Sequence, residues 1–273
     1  PLFLYIWGSG FVSVNSLLNV AAGVYTVEVR DANLCLGLFE FDMQDYPPLV
    51  LDFEQTDARC FGESNGSATA LPDGGVGNYT FAWSDGQNTA TAAGLGAGAY
   101  MVTVLDGNLC LIEGSITVGE PPLLQLLVTD STGLLCSYDT TGLIIVEASG
   151  GTPDYEFSID GQSFQVSPVF NSLRGGAYTF TVMDAQGCLA TVNGTVNAPP
   201  PLIVDAGPDQ IIPLGYTADI RAVMSEPGLV ISWAPPDSLS CTDCLTPVAS
   251  PVQTTTYRIT VMDPNDCIAV DTI

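Results

Sequence analysis

The 273-residue chain contains no lysine and no histidine. Its five cations are Arg30, Arg59, Arg174, Arg221 and Arg258, set against 30 Asp and Glu, for a formal net charge of −25. Phosphate backbones are gripped by clustered cations, so nucleic acid is excluded as a partner. An anionic bilayer surface is disfavoured for the same reason. Without histidine the chain lacks the commonest general base and the commonest zinc ligand, and no serine can be activated by an imidazole. Long apolar runs of membrane-spanning length are also missing, so no membrane insertion is expected. The opening Pro1–Trp7 is apolar but has neither a basic leader nor a small-residue cleavage site.

What is present is apolar and weakly charged: 47% hydrophobic residues and only 13% charged ones. Thr, Ser, Gly and Asn fill the rest. That balance suits an all-β extracellular protein and not an acidic disordered tail. The acidic surface repels itself and attracts at most divalent cations.

Four times a Tyr is followed ten residues later by a Cys, across an alternating strand and an Asp-led turn. The copies run from Tyr25 through Asp31 to Cys35, Tyr100 through Asp106 to Cys110, Tyr178 through Asp184 to Cys188, and Tyr257 through Asp263 to Cys267. The tyrosines lie 75, 78 and 79 residues apart. A fixed period of this size means one structural unit repeated. The clusters Pro47-Pro48, Pro121-Pro122 and Pro199-Pro200-Pro201 follow each Cys-containing strand and mark the expected joints. The resulting units are 1–48, the back part of a truncated repeat; 49–122 and 123–200, whole repeats; and 201–273, a divergent one with its last strand cut. The chain begins mid-repeat without an initiator Met and reads as a window from a longer protein.

Within each unit the pattern alternates with period two, as in Tyr100/Val102/Val104 and Tyr178/Phe180/Val182. Gly- and Asp-rich turns recur at short intervals, and no helical period is sustained. The expectation is an all-β chain of tandem immunoglobulin-like sandwiches. An apolar residue sits five before each key Tyr (Val20, Leu95, Leu173, Val252), and Gly sits two before it in three units (Gly23, Gly98, Gly176). This run resembles the tyrosine corner of immunoglobulin-like domains, in which the phenol bonds back to the backbone; a plain core aromatic is the other reading. Trp7, Trp83 and Trp233 are expected to fill cores, with Ile159 in the equivalent place of the third unit. Sugar stacking is the functional alternative.

The combination of Cys60-Phe61-Gly62-Glu63-Ser64-Asn65-Gly66, Gly74-Gly75-Val76-Gly77-Asn78-Tyr79, Trp83-Ser84-Asp85-Gly86 and Gly94–Tyr100 to Cys110 resembles the SprB repeat. That repeat occurs in surface adhesins and gliding-motility proteins of Bacteroidota. The third unit resembles it through Cys136, Gly150–Tyr155 and Gly187-Cys188, without the Trp. The fourth, from Val204–Gln210 to Trp233–Pro247, is similar to PKD-like modules of the same proteins. The resemblance implies export through the type IX system and an extracellular, cell-surface location; it does not imply an activity.

Three cystine questions follow. Cys60 to Cys110 and Cys136 to Cys188 span 50 and 52 residues, so each pair is expected to close within its own repeat. Such a staple matters, because a core of this size is marginal alone. Cys241-Thr242-Asp243-Cys244 reads as a local disulfide, having neither a redox-motif context nor a second pair of zinc ligands. Cys267 is then left over, free and buried or joined to a neighbouring subunit, and the partner of Cys35 is expected upstream of the window. No other metal or cofactor site is expected. Calcium is open on net charge, although the turn aspartates 31, 106, 184 and 263 suit Asx-turns that cap their own backbone. Asp-Ser/Thr runs that resemble the Bacteroidota O-glycosylation pattern mark Ser131, Thr140, Ser238 and Thr272.

No acid–base constellation is in sight, so the chain is read as non-enzymatic. It is expected to be a structural segment of a long secreted protein, a filament or stalk used in adhesion or gliding. Its expected partners are other copies of itself or neighbouring repeats of the same chain. The alternative is an adhesin or carbohydrate-binding stalk on a secreted enzyme, which would meet surface glycans through exposed aromatics such as Tyr46, Tyr138 or Tyr216.

Overall fold

The structure, a computed structural model, describes residues 3–8, 10–11 and 15–273, with backbone alone for Gly10 and Phe11. The chain forms two compact units, Pro1–Glu120 and Pro121–Ile273. All regular structure among the described residues is β. Pro1 and Leu2 of the expected opening strand lie outside the described residues.

The first unit opens with a four-stranded antiparallel sheet in the order β2-β1-β3-β4. Its strands are β1 (Leu4–Trp7), β2 (Gly10–Phe11), β3 (Gly23–Arg30) and β4 (Leu36–Met43). A complete sandwich follows. One sheet joins β5 (Val50–Thr56), β6 (Gly66–Asp73) and β8 (Thr91–Leu95); the other joins β7 (Thr80–Trp83), β9 (Gly98–Leu105) and β10 (Leu111–Val118). The chain crosses between sheets after β6, β7 and β8, while β9 and β10 form a hairpin paired from Gly98↔Val118 to Leu105↔Leu111. Two antiparallel sheets with this crossing pattern are the immunoglobulin-like arrangement. Inward residues alternate along each strand, so Ala68, Ala70, Trp83, Ala92, Leu95, Val102, Val104 and Val118 make one core. Burying each larger side chain contributes roughly 1.5–3 kcal/mol.

The second unit holds two such bodies. In the first, β11 (Gln125–Thr132), β12 (Gly142–Ser149) and β14 (Val169–Leu173) face β13 (Glu156–Ser158), β15 (Gly176–Met183) and β16 (Leu189–Val196). This body has no Trp, and Ile159 does not take its place: Ile159 is only half-buried. Phe170 and Phe180 fill the core instead, with ring centroids 4.8 Å apart. Phe180, fully buried, stands where the preceding sandwich has Val102, so the lost indole volume is restored from the neighbouring strand.

The last body has frayed outer sheets, β17 (Val204–Asp205) with β19 (Val223–Met224) and β18 (Ala218–Asp219) with β21 (Val248–Ala249). Its other sheet is regular: β20 (Val230–Ala234), β22 (Arg258–Met262) and β23 (Ile268–Thr272). Trp233, 2% exposed, centres its core and donates its indole N–H to Cys244 O at 2.9 Å. Trp83 does the same to Thr89 O at 2.9 Å.

Candidate functional site: the poles of the sandwiches

Each repeated Tyr locks the entry to its strand. The hydroxyls of Tyr25, Tyr100 and Tyr178 donate to the carbonyls of Ala21, Gly96 and Arg174 at 2.7, 3.0 and 2.9 Å, each four residues back. This is the tyrosine corner. Tyr257 departs from it. It is 3% exposed and reaches Asp237 O at 3.1 Å, while Val252, read as its apolar companion, is 80% exposed. Burial first, and then the charge of Asp237, push the Tyr257 phenol up.

Ten residues on, the Asp-led turn positions the Cys. Asp106 Oδ1 accepts the N–H groups of Asn108 and Cys110, both at 2.8 Å. Asp31, Asp184 and Asp263 hold Cys35, Cys188 and Cys267 in the same way, at 2.9, 2.9 and 2.8 Å. The aspartates are therefore spent on backbone N–H groups, as Asx-turns are. In the two complete sandwiches the second oxygen reaches across the pole: Asp106 Oδ2 accepts Val76 N–H at 2.9 Å and Asp184 Oδ2 accepts Thr152 N–H at 2.8 Å. Asp106, 3% exposed, is held below the usual carboxylate range by the Val76 N–H first, and then by those of Cys110 and Asn108, against the opposing effect of burial.

The Val76 and Thr152 turns are Gly-Gly pairs in left-handed backbone, with φ of 79° and 59° at Gly74 and Gly75, and 76° and 60° at Gly150 and Gly151. A Cβ on Gly75 would stand 2.5 Å from Asp106 Oδ2. Gly75 N–H bonds Pro47 O and Gly151 N–H bonds Pro122 O, both at 2.8 Å, so the Pro-Pro joint is tied to this pole. Tyr79 and Tyr155 close the turn by donating to the carbonyls of Gly74 and Gly150 at 2.6 and 2.7 Å. Sequence reasoning gave these two tyrosines no role; the Gly-Gly-x-x-x-Tyr spacing common to both repeats was the available signal.

The opposite pole carries the loop cysteine. Ala58 N–H bonds Gly119 O at 2.9 Å, and Gly62 N–H donates to a Glu120 carboxylate oxygen at 2.6 Å, which fixes Cys60 beside the end of β10. Leu134 N–H bonds Asn197 O at 2.8 Å and places Cys136 likewise beside the end of β16.

This geometry corrects the expected pairing within repeats. Cys110 immediately precedes β10 and Cys60 sits at its far end, about 25–30 Å of strand away. A disulfide needs Cα atoms within about 7 Å. Cys110 is a free, exposed thiol, as is Cys35. Cys136 does not pair with Cys188; it is bonded to Cys267, with Cα atoms 5.5 Å apart and a sequence separation of 131. Cys267 is therefore neither free nor held by another subunit. Cys60 and Cys188 are disulfide-bonded, and Cys241 is bonded to Cys244.

The Cys136–Cys267 bond crosses the joint between the two bodies of the second unit. Ile268 N–H donates to the Tyr138 hydroxyl at 3.2 Å beside it. Ile203 and Ser225 tie the linker to the last body, Ile203 N–H to Ser225 Oγ at 3.0 Å and Ser225 N–H to Ile203 O at 2.9 Å. A polar cleft of about 340 Å³ lies between Tyr138, Pro200, Glu226 and Asp263. Tyr138 is engaged in the joint and is still 56% exposed, and Tyr46 and Tyr216 are 60% and 66% exposed. Ser131, Thr140, Ser238 and Thr272 are all exposed. Among the described residues no group of three or more Cys, Asp or Glu converges as a metal site. Among the described residues there is no helix long and apolar enough to cross a membrane.

Residues 53–88 match the family model of the SprB repeat. The match spans β5 through the turn after β7, including the Cys60 loop and the Gly74-Gly75 turn. No curated protein matches the chain. Among solved structures, the eight N-terminal Ig domains of Down Syndrome Cell Adhesion Molecule align over 100% of this chain at 13% identity and TM-score 0.31; the chain spans 43% of that structure. Sidekick-1 immunoglobulin domains 1–5 align over 99% of this chain and 72% of that one, at 11% identity and TM-score 0.29. Protocadherin Gamma B7 cadherin domains 1–4 align over 99% and 91%, at 11% identity and TM-score 0.30.

Proposed function

We propose that this chain is a non-catalytic, tension-resisting segment of a secreted cell-surface protein, a stalk or filament of SprB-type repeats used in adhesion or gliding. The observation that carries the reading is the Cys136–Cys267 bond across a joint between successive sandwiches. Pulled by its ends, the chain passes tension from the loop at Cys136 directly into the last turn at Cys267. Residues 137–266 lie between the bonded cysteines, and the bond offers a covalent path around them. A staple within each repeat would protect one bead; a staple across the joint protects the bead and fixes its neighbour.

The acidic surface keeps copies soluble and apart from nucleic acid and anionic lipid. Export by the type IX route and decoration at exposed Asp-Ser/Thr sites belong to the same reading, supported by the SprB match at 53–88. Single-molecule pulling on the 273-residue chain tests the mechanical part. Under oxidising conditions the 131-residue loop stays hidden. Reductant releases up to about 440 Å of further extension, at roughly 3.4 Å per residue. Equal extension with and without reductant would defeat the reading.

A further inference from the structure

We propose that Cys110 and the uncovered face of the β1–β4 sheet are two parts of one docking site, filled by a three-stranded half-sandwich that bears a loop cysteine and belongs to the same polypeptide. Two independent observations lead there, and both lie within the Pro1–Glu120 unit.

The first is the state of the thiol. Cys110 and Cys267 occupy the same turn: each N–H is held at 2.8 Å by the Oδ1 of the Asp four residues back, and the preceding residue, Leu109 or Asp266, has φ 65° in both. Cys267 is 4% exposed and bonded to the loop cysteine of the body before it. Cys110 is free, with Leu109 and Leu111 beside it 77% and 60% exposed. One turn, repeated, carries a bond across a joint in one copy and a bare thiol in the other.

The second is the bare sheet. Pairing of β3 with β4 runs Tyr25↔Phe41 and Val27↔Phe39, as β9 with β10 runs Tyr100↔Ile116 and Val102↔Gly114. Phe39, Phe41 and Met43 thus hold the inward positions of Gly114, Ile116 and Val118. In the complete sandwich that face is covered by β5, β6 and β8, and Val118 is 1% exposed. In the first sheet Phe39, Phe41 and Met43 are 55%, 47% and 45% exposed.

The sister sandwiches say what fits both. A sheet of the β5-β6-β8 kind places its loop cysteine at the pole where the last strand ends, as Cys60 and Cys136 are placed. The chain leaving β4 reaches Pro47, whose carbonyl bonds Gly75 N–H at 2.8 Å, at the pole that holds Asp106 and Cys110. The occupant's shape is also constrained. Gly114 makes room for Phe53, since a Cβ there would stand 2.6 Å from that ring. With Phe39 in the Gly114 position, the incoming strand carries a small residue where β5 carries Phe53.

The bond forms by thiol–disulfide exchange. The Cys110 thiolate attacks the loop-cysteine sulfur, held as a mixed disulfide formed with a disulfide oxidant. The new S–S bond forms, and the oxidant's thiolate leaves with the electron pair.

The proposal goes beyond the stalk reading, because a free Cys110 would leave the Cys136–Cys267 bond and its tension path untouched. Its test is alkylation of the native, unreduced protein from its source, followed by peptide mass spectrometry. The expected result is Cys110 cross-linked to a peptide outside these 273 residues, with Glu or Asp three residues after its Cys, as in Cys60–Glu63 and Cys136–Asp139. An alkylated Cys110, or a link to Cys35 or to a second Cys110, overturns it. Hydrogen exchange reads the other half: β4 amides should exchange at least about tenfold more slowly in the native protein than in the 273-residue chain. Equal rates overturn the covered face.

Discussion

Single residues at the Gly-Gly pole set its tolerance to change and to acid. Gly75 has φ 59° and its absent Cβ leaves room for Asp106 Oδ2. Gly75→Ala should cost at least about 1–2 kcal/mol from left-handed backbone alone, lowering the melting temperature by roughly 5–15 °C for a domain of this size. Gly77→Ala, where a Cβ meets open space, should stay within about 0.5 kcal/mol of wild type; paired calorimetric melts check both. Asp106 and Asp271 give the pole chemistry a pH signature. Both carboxyls lie below their ordinary value of 3.8, Asp106 through the Val76 N–H first and Asp271 through the Ala206 N–H first. A lowered folded-state pKa contributes stability that is complete above the unfolded value and is lost as pH falls through the folded one. Melting temperatures should therefore hold from neutrality to about pH 4 and fall below it. Asp106→Asn should lower the plateau and flatten the acid limb; an unchanged acid limb in that variant would remove Asp106 from the account.

At the scale of the element, the joint between the two bodies of the second unit is where stability should be most sensitive to redox state. Replacing Cys136 and Cys267 together by Ser should cost about 2–4 kcal/mol and lower the second unit's melting temperature by roughly 5–15 °C. The same change should leave the first unit's transition in place, which differential scanning calorimetry of the whole chain resolves. Much of this architecture was legible in the sequence. The alternation Tyr100/Val102/Val104, the Asp106 turn and the Leu95–Tyr100 corner are local features spanning at most ten residues, and local hydrogen bonds decide them. The pairing of cysteines was not legible. Spans of 50 and 52 residues looked like two copies of one bond, but any two equivalent positions of a repeat keep a constant spacing whether or not they touch. What decides pairing is the pole each cysteine occupies, and that depends on how many strands lie between. Three strands carry the chain from the Cys60 pole back to it, and a fourth, β9, delivers Cys110 to the other end. The fourth repeat was hardest to read because Tyr257 lacks the Gly two residues before it, and its hydroxyl turned to Asp237 O instead.

At the scale of the whole molecule, covalent continuity explains why so small a core suffices in an exposed and acidic chain. Each body contributes a modest hydrophobic core, and the cystine adds its constraint across two bodies at once, by closing a long loop in the unfolded chain. Stability along such an array then depends on neighbours as well as on each bead. The measurement that tests this most directly is disulfide mapping of the unreduced 273-residue chain by mass spectrometry. The account predicts a cross-linked pair joining the segment around Cys136 to the segment around Cys267, with Cys35 and Cys110 recovered as free thiols. A pair joining Cys136 to Cys188, or Cys60 to Cys110, would contradict it.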